Sequence, residues 1–303
     1  LDAARQIGGA DAPLIYAWGR RPKVLAEGWE ALQLPCGQCV GCRIERSKVW
    51  AIRCVHEASM HENNSFITLT YEEEPYGGTL VRHHFVDFMK RLRRELSPLR
   101  IRFFMCGEYG KKLSRPHYHA LIFGYDFPDK FFWQRTNGFV IHRSAQLERL
   151  WEYGFSTIGD VTFETAAYCA RYVMKKITGK NAEEHYERVV DGSGETISLE
   201  PEYITMSLGR KPGQGIGGSW YETYKRDCYP SDFITHKGKR FRVPRYYDSM
   251  YAQDEEEAFE AIKEDRVTRA RLFEDNNTPA RLEVREKCCE AKLAMLPRAY
   301  EDD

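Results

Sequence analysis

Between Arg115 and Gly124 the chain reads Arg-Pro-His-Tyr-His-Ala-Leu-Ile-Phe-Gly, and its two histidines, one residue apart, carry the strongest chemical signal. Alternate side chains of a strand share a face, so His117 and His119 project together as half of a metal site. Alone, such a pair is equally compatible with hydrogen-bonded core histidines. Glu108 precedes His117 by nine positions, in Cys-Gly-Glu-Tyr-Gly. A hairpin turning over 109–115 brings it opposite His117 or close to it. One carboxylate and two imidazoles suit Mg²⁺ or Mn²⁺ and leave open positions for substrate oxygens. The plainer reading pairs Glu108 with Lys111, Lys112 or Arg115 on the loop.

Tyr168 and Tyr172 are four residues apart in Tyr-Cys-Ala-Arg-Tyr-Val-Met-Lys-Lys. On a helix both rings and Lys175 fall on one face. Ala167, Ala170, Met174 and Ile177 form the opposite stripe, which can supply the core contact, so packing does not require the tyrosines. A phenol of pKa about 10 is a weak nucleophile at neutral pH unless a cation or base assists it. Lys175, Lys176 and a metal-polarised phosphate are candidates for that assistance.

Cys36, Cys39 and Cys42 have the short spacing of a metal knuckle, but structural zinc wants four ligands. Along a helix Cys54 lies about 18 Å from Cys42, too far to serve. A fourth ligand must come from elsewhere in the chain or from water. Three reduced thiols in a turn is the alternative reading. Arg115 and Lys176 are candidate phosphate contacts. Lys90, Arg91, Arg93 and Arg94 read as the solvated face of an amphipathic helix.

The elements that must hold these groups follow from pattern. A helix is expected over Arg43–Met60 and a strand over Ser65–Tyr71, rich in β-branched and aromatic residues. A second helix runs to about Leu96, its buried stripe Phe85, Phe88, Met89, Leu92 and Leu96. Strands follow over Arg100–Glu108 and Pro116–Gly124, then a helix near Ala145–Trp151 and a strand over Phe155–Val161. A helix over Phe163–Ile177 starts at Thr162 as N-cap. The order β-α-β-β-α-β-α implies an α+β fold with a mainly antiparallel central sheet flanked by helices. Residues 1–31 read as a poorly ordered arm, 32–180 as the main domain, 181–250 as an extension, and 251–303 as a charged helical or partly disordered tail, with a helix over 250–273.

The 303 residues carry 45 basic and 45 acidic side chains. Asp254–Asp303 holds 15 acidic against 9 basic, leaving 36 basic against 30 acidic on the rest. A mildly positive body is compatible with a nucleic-acid groove without requiring one. No apolar run approaches the roughly 20 residues of a membrane span. Nine cysteines, an odd number, point to a reducing compartment rather than a disulfide scaffold.

Phe66-Ile-Thr-Leu-Thr70, Glu108, His117-Tyr-His119 and Tyr168-xxx-Tyr172-xx-Lys175 together resemble the ordered motifs of HUH endonucleases, in the two-tyrosine branch that initiates rolling-circle replication. Leu34–Arg43, Cys106–Gly110 and Arg115–Gly124 are similar to the replication initiators of gokushovirus-type microviruses, as are, less specifically, Gly209–Gly217 and Pro244–Tyr247. The resemblance covers roughly 34–250. It implies an HUH-like fold with an N-terminal arm and a helical C-terminal extension. It also implies a metal on Glu108, His117 and His119, Mg²⁺ or Mn²⁺, and attack by Tyr168 or Tyr172 on single-stranded viral origin DNA. A 5′-phosphotyrosine and a free 3′-hydroxyl for host polymerase, working with host helicase in the host cytoplasm, would result. A structural Zn²⁺ on Cys36, Cys39 and Cys42 is a further expectation. The competing readings are a plasmid relaxase or transposase of the same fold, a non-catalytic DNA-binding module, and a structural zinc protein. No Walker-type phosphate loop appears.

Overall fold

The computed structural model describes residues 2–6, 15–17, 29–33, 37, 39–110, 113–136, 138–171, 176, 182–190, 192–209 and 214–295. Three short strands, β1 (Asp2–Gln6), β2 (Ile15–Ala17) and β3 (Trp29–Gln33), pair antiparallel in the segment whose sequence reads as an arm. Helix α1 (Val40–Ser59) leads into β4 (Asn64–Thr70), α2 (Arg82–Glu95), β5 (Arg102–Tyr109) and β6 (Pro116–Phe123). Next come β7 (Phe131–Thr136), β8 (Phe139–Arg143), α3 (Ala145–Leu150), β9 (Ser156–Gly159) and α4 (Phe163–Arg171). The later part adds α5 (Ala182–Tyr186), β10 (Glu187–Val189), β11 (Thr196–Ser198), β12 (Tyr203–Met206) and α6 (Gly218–Tyr224). It closes with β13 (Ile234–His236), β14 (Lys239–Phe241), α7 (Arg245–Asp254), α8 (Glu256–Arg271) and α9 (Pro279–Ala294).

Seven strands form the central sheet in the order β12-β5-β6-β4-β9-β8-β7, every neighbouring pair antiparallel. The α+β class with an antiparallel central sheet is therefore the observed one. Strand β6 lies third in that order and is buried along its whole length, as its two-sided apolar pattern requires.

Alternation sends Ile67, Leu69, Met105, Tyr118, Ala120 and Ile122 to one face. There they meet Phe85, Phe88, Met89 and Leu92 of α2, together with Trp151. Phe66, Phe104, Cys106, Leu121 and Phe123 go to the other face, under α1 and α4. Each such large apolar side chain contributes about 1.5–3 kcal/mol on burial, so the two layers hold the sheet from both sides.

Helices α1 and α4 meet through small residues, Ala51 and Cys54 against Ala166, Cys169 and Ala170. Small side chains let the backbones approach closely, and the Ser47 hydroxyl donates to the Ala167 carbonyl at 3.0 Å. Thr162 caps α4 as its sequence predicts. Its hydroxyl accepts from the Thr165 amide at 3.1 Å, while its own amide donates to the Thr165 hydroxyl at 2.8 Å, a reciprocal cap.

The far side of α1 carries the C-terminal elements. Ile52 packs with Trp220, Tyr221, Tyr229, Val243, Tyr247, Met250 and Ile262. The single charged helix expected over 250–273 is two helices. Glu255, at φ −142° and ψ 65°, breaks the run and turns α8 back toward α7. Arg266 of α8 then pairs with Asp248 of α7 at 2.8 Å. Instead of ending frayed, the tail continues as helix α9.

Candidate metal and tyrosine centre

The register of the β5–β6 hairpin sets Glu108 opposite His117 and Cys106 opposite His119. On the other side β4 sets Thr70 opposite His117 and Thr68 opposite His119. Period two then directs Glu108, His117, His119 and Thr68 to the face covered by α1 and α4. Their ligating atoms converge: those of Glu108, His117 and His119 all lie within 4.8 Å of one another, and all three residues are buried. Among the described residues this is the only such group of three metal-ligating side chains.

The Glu108 carboxylate is the hub. Its Oε1 lies 3.1 Å from His117 Nε2 and 3.0 Å from His119 Nε2. Burial pushes this carboxyl upward, but the hydrogen bonds and charge of the two imidazoles outweigh it and hold the group at about 2. The carboxylate therefore stays ionised across the neutral range.

The other ring nitrogens fix the imidazoles. His117 Nδ1 donates to the Arg115 carbonyl at 3.1 Å, and His119 Nδ1 lies 2.9 Å from the Thr68 hydroxyl. Phe66 stacks on the His119 ring at 5.6 Å. These contacts aim both Nε2 atoms at one carboxylate oxygen. His117 faces an acceptor at each nitrogen, so the space between its Nε2 and Glu108 calls for a positive charge. A second ring proton supplies it, or a divalent ion held in its place. The donor set is one anionic oxygen and two neutral-capable nitrogens, oriented through outer hydrogen bonds as metal-ligating histidines usually are. The three residues fit a divalent cation.

Tyr168 sits against the same carboxylate, its hydroxyl 3.5 Å from Glu108 Oε1. Its ring meets His119 edge to face at 5.0 Å, with Phe66 at 6.5 Å and the Arg171 guanidinium 5.7 Å above it. Here the structure corrects the sequence reading, which left the tyrosine face of the helix free of packing. Tyr168 is only 3% exposed and belongs to the core cluster. The cause is that α4 is enclosed on two sides. Ala166, Cys169 and Ala170 face α1 while Tyr168 faces the sheet, so one buried stripe does not describe the helix.

Tyr172 and Lys175 lie outside the described residues, as does Cys36. Cys39 immediately precedes α1 and Cys42 lies in its first turn. Lys176 is exposed. Arg115 turns to Glu74 at 3.0 Å and to the Tyr71 carbonyl at 2.7 Å, and so is anchored beside the site. Thr68 is the participant that residue types alone do not single out. The signal for it is parity, since Thr68 shares a strand face with Phe66 and Thr70.

A family model of replication-associated proteins of the ORF2 type matches residues 64–177, the span from β4 through α4 and just beyond it. The replication-associated protein ORF2 of Spiroplasma virus 4 is 32% identical over 263 residues, covering 80% of this chain and 76% of its own. The replication-associated protein VP4 of Bdellovibrio phage phiMH2K is 29% identical over 262 residues, covering 82% and 75%. For the replication-associated protein ORF4 of Chlamydia phage 1 the identity is 30% over 227 residues, covering 72% and 53%. No solved structure matches the chain.

Proposed function

The chain belongs to the microvirus-type family of phage replication-associated proteins, and from that premise we propose that it initiates replication by cutting single-stranded origin DNA with a tyrosine. The observation that carries the reading is the convergence of Glu108, His117 and His119, with the Tyr168 hydroxyl on the same carboxylate oxygen. A DNA-binding module without catalysis needs none of these groups.

On this reading Glu108, His117 and His119 hold Mg²⁺ or Mn²⁺. Such an ion, when bound, supplies positive charge to a phosphate oxygen and to the departing oxygen. The protein contributes geometry and exclusion of water. Glu108 orients the Tyr168 hydroxyl, and Phe66 and His119 fix the ring. The Tyr168 oxygen bonds to phosphorus, the bond from phosphorus to the 3′-oxygen breaks, and overall the phenolic proton ends on that 3′-oxygen. The products are a 5′-phosphotyrosine and a 3′-hydroxyl from which host polymerase can extend. Attack of a later 3′-hydroxyl on the phosphotyrosine reverses the exchange. One phosphodiester replaces another, so joining needs no ATP.

Tyr172 is the second nucleophile of this proposal, with Lys175 assisting, and it cuts the regenerated origin. Residues 32–180 form the endonuclease unit, with 181–250 and 251–303 as extensions. Arg115 and Lys176 contact phosphates, and the Cys36, Cys39 and Cys42 knuckle takes a structural Zn²⁺. No helix of the described residues is long and apolar enough to cross a membrane. The proposed setting is the host cytoplasm, alongside host polymerase and helicase.

The test mixes purified protein with end-labelled single-stranded fragments of the phage genome and Mn²⁺, followed by denaturing electrophoresis. A covalent protein–DNA adduct is expected. It should survive either Tyr168→Phe or Tyr172→Phe and vanish in the double variant. A folded protein that cuts no fragment with either metal overturns the proposal.

A further inference from the structure

We propose that the β13–β14 hairpin and the groove beside it form a second binding surface for single-stranded DNA, outside the catalytic centre. The inference rests on the replication reading above and locates where the strand is gripped.

Charge comes first. Ile234–Arg245 contains Lys237, Lys239, Arg240, Arg242 and Arg245 and no acidic residue, in a chain whose formal net charge is zero. All five cations are exposed. Lys237 has Glu164 at 3.7 Å; the other four have no ion pair among the described residues. The hairpin turns over Lys237 and Gly238, both at positive φ (48° and 73°), with His236 paired to Lys239. Two such residues make a tight turn that matches strand twist, so the cations project on a short ribbon.

The groove adds what a polynucleotide needs beyond charge. It is an open cavity of about 480 Å³ whose lining includes Phe233, Phe241, Phe273, Arg240 and Arg242. The Arg240 guanidinium already lies 4.2 Å over the Phe233 ring, and Phe273 is 61% exposed. Asp232 is the lining acid, and it is engaged by Arg266 and Arg269, which also line the groove. The local field therefore stays positive. Aromatic faces interleaved with guanidinium groups stack unpaired bases while the cations track phosphates. A duplex keeps its bases stacked on each other, so the surface favours a single strand.

Placement links the surface to the site. Phe163, the first residue of α4, packs on His236 at 5.5 Å and on Phe241 at 5.1 Å. Tyr168 follows five residues later, about 7.5 Å along the helix axis. A strand held by the hairpin is thus held at the root of the helix that carries the nucleophile.

The test uses the full chain in EDTA, with a fluorescein-labelled oligothymidylate of about 16 nucleotides, the upper end of one single-strand site. Fluorescence anisotropy is read against salt. Replacing Lys239, Arg240 and Arg242 by Ala is expected to weaken binding at least tenfold and to lower the salt slope by about 2, at about 0.7 per lost phosphate contact. Phe273→Ala should weaken binding with the slope unchanged, and Arg240→Lys/Arg242→Lys should restore most of the slope. Lys90→Ala/Arg93→Ala/Arg94→Ala removes the same charge from α2, on the opposite side of the sheet, and should leave affinity near wild type. Equal losses in the two triple variants, or a hairpin variant that binds like wild type, overturn the inference. So does a wild type that binds no oligothymidylate. The metal centre does not enter this assay. Loss of nicking with the binding difference intact strikes the catalytic proposal and leaves this one standing.

Discussion

Two glutamates are buried on the same side of the central sheet and are partnered differently. Glu57 on α1 accepts from the Arg102 guanidinium at 2.8 Å and the Gly217 amide at 2.7 Å, and His61 Nε2 lies at 3.2 Å. Glu108 on β5 meets two imidazoles at comparable range, with a phenol beyond them. Arg102 and Glu108 lie on one face of one strand, about 20 Å apart. Burial pushes both carboxyls up and their donors bring both down. The partners decide the use. A guanidinium and a backbone amide are permanent donors, whereas an imidazole can exchange a proton for a metal.

Glu57 therefore acts as a lock. It ties α1, β5 and the start of α6 together, and Gly217 is shaped to it. At φ 78° Gly217 occupies the left-handed region, and a Cβ there would lie 2.4 Å from the Tyr247 hydroxyl. The imidazoles around Glu108 converge instead on a point that a cation can occupy.

The largest expected effect separates the two residues by activity. Glu108→Gln should reduce nicking by about 10³-fold or more, beyond the 10–100-fold of a merely supporting residue, with little change in melting temperature. Origin cleavage and scanning calorimetry on the same preparation check it. A variant that melts early and nicks normally once folded would make Glu108 a second lock. Reversing the comparison, Glu57→Gln should cost about 3 kcal/mol because Arg102 loses its buried partner. Nicking per folded molecule should stay near wild type. Urea unfolding gives the stability, and a lost rate at full folding would contradict the division.

Acid should weaken the lock before the site. His56, beside Glu57, stacks on Trp220 at 3.4 Å and has the Tyr247 hydroxyl 3.0 Å from its Nδ1. Burial, helped by repulsion from His236, lowers its pKa from 6.5 to about 3. Between those values the unfolded chain takes up a proton that the folded chain refuses, so stability falls as pH drops below 6.5. The loss should reach about 2 kcal/mol by pH 5, where Glu108 is still ionised. His56→Asn should flatten the dependence of urea midpoint on pH. An unchanged slope would assign it instead to His84 and His236, whose pKa values burial also lowers.

How much of this was legible depends on distance along the chain. The alignment of Glu108 with His117 is readable because strand period and hairpin length are local. The Thr162 cap and the α2 stripe are local too. The burial of Tyr168 is not readable, because a helical wheel does not show that α1 roofs the opposite side. Nor is the Glu57 lock, whose partners come from positions 61, 102 and 217. Strand β12 escapes for the same reason, as four residues that become a strand by pairing with β5, about a hundred residues earlier. The split of the 250–273 helix depends on one residue, Glu255, and on the Arg266–Asp248 contact it permits.

The smallest effect probes how the imidazoles are aimed. Thr68→Val keeps a β-branched side chain of the same shape on β4 and removes the hydroxyl 2.9 Å from His119 Nδ1. If that contact only packs the sheet, the variant should lose about 1 kcal/mol of stability and bind Mn²⁺ as before. If it fixes the His119 ring so that Nε2 faces Glu108, Mn²⁺ affinity should fall about tenfold and Thr68→Ser should recover most of it. Calorimetric titration with Mn²⁺ distinguishes the two. The second outcome is expected, because the hydroxyl reaches the nitrogen opposite the one that faces Glu108. Glu57 has no counterpart to this dependence, since a backbone amide and a guanidinium need no further partner to fix which atom they present.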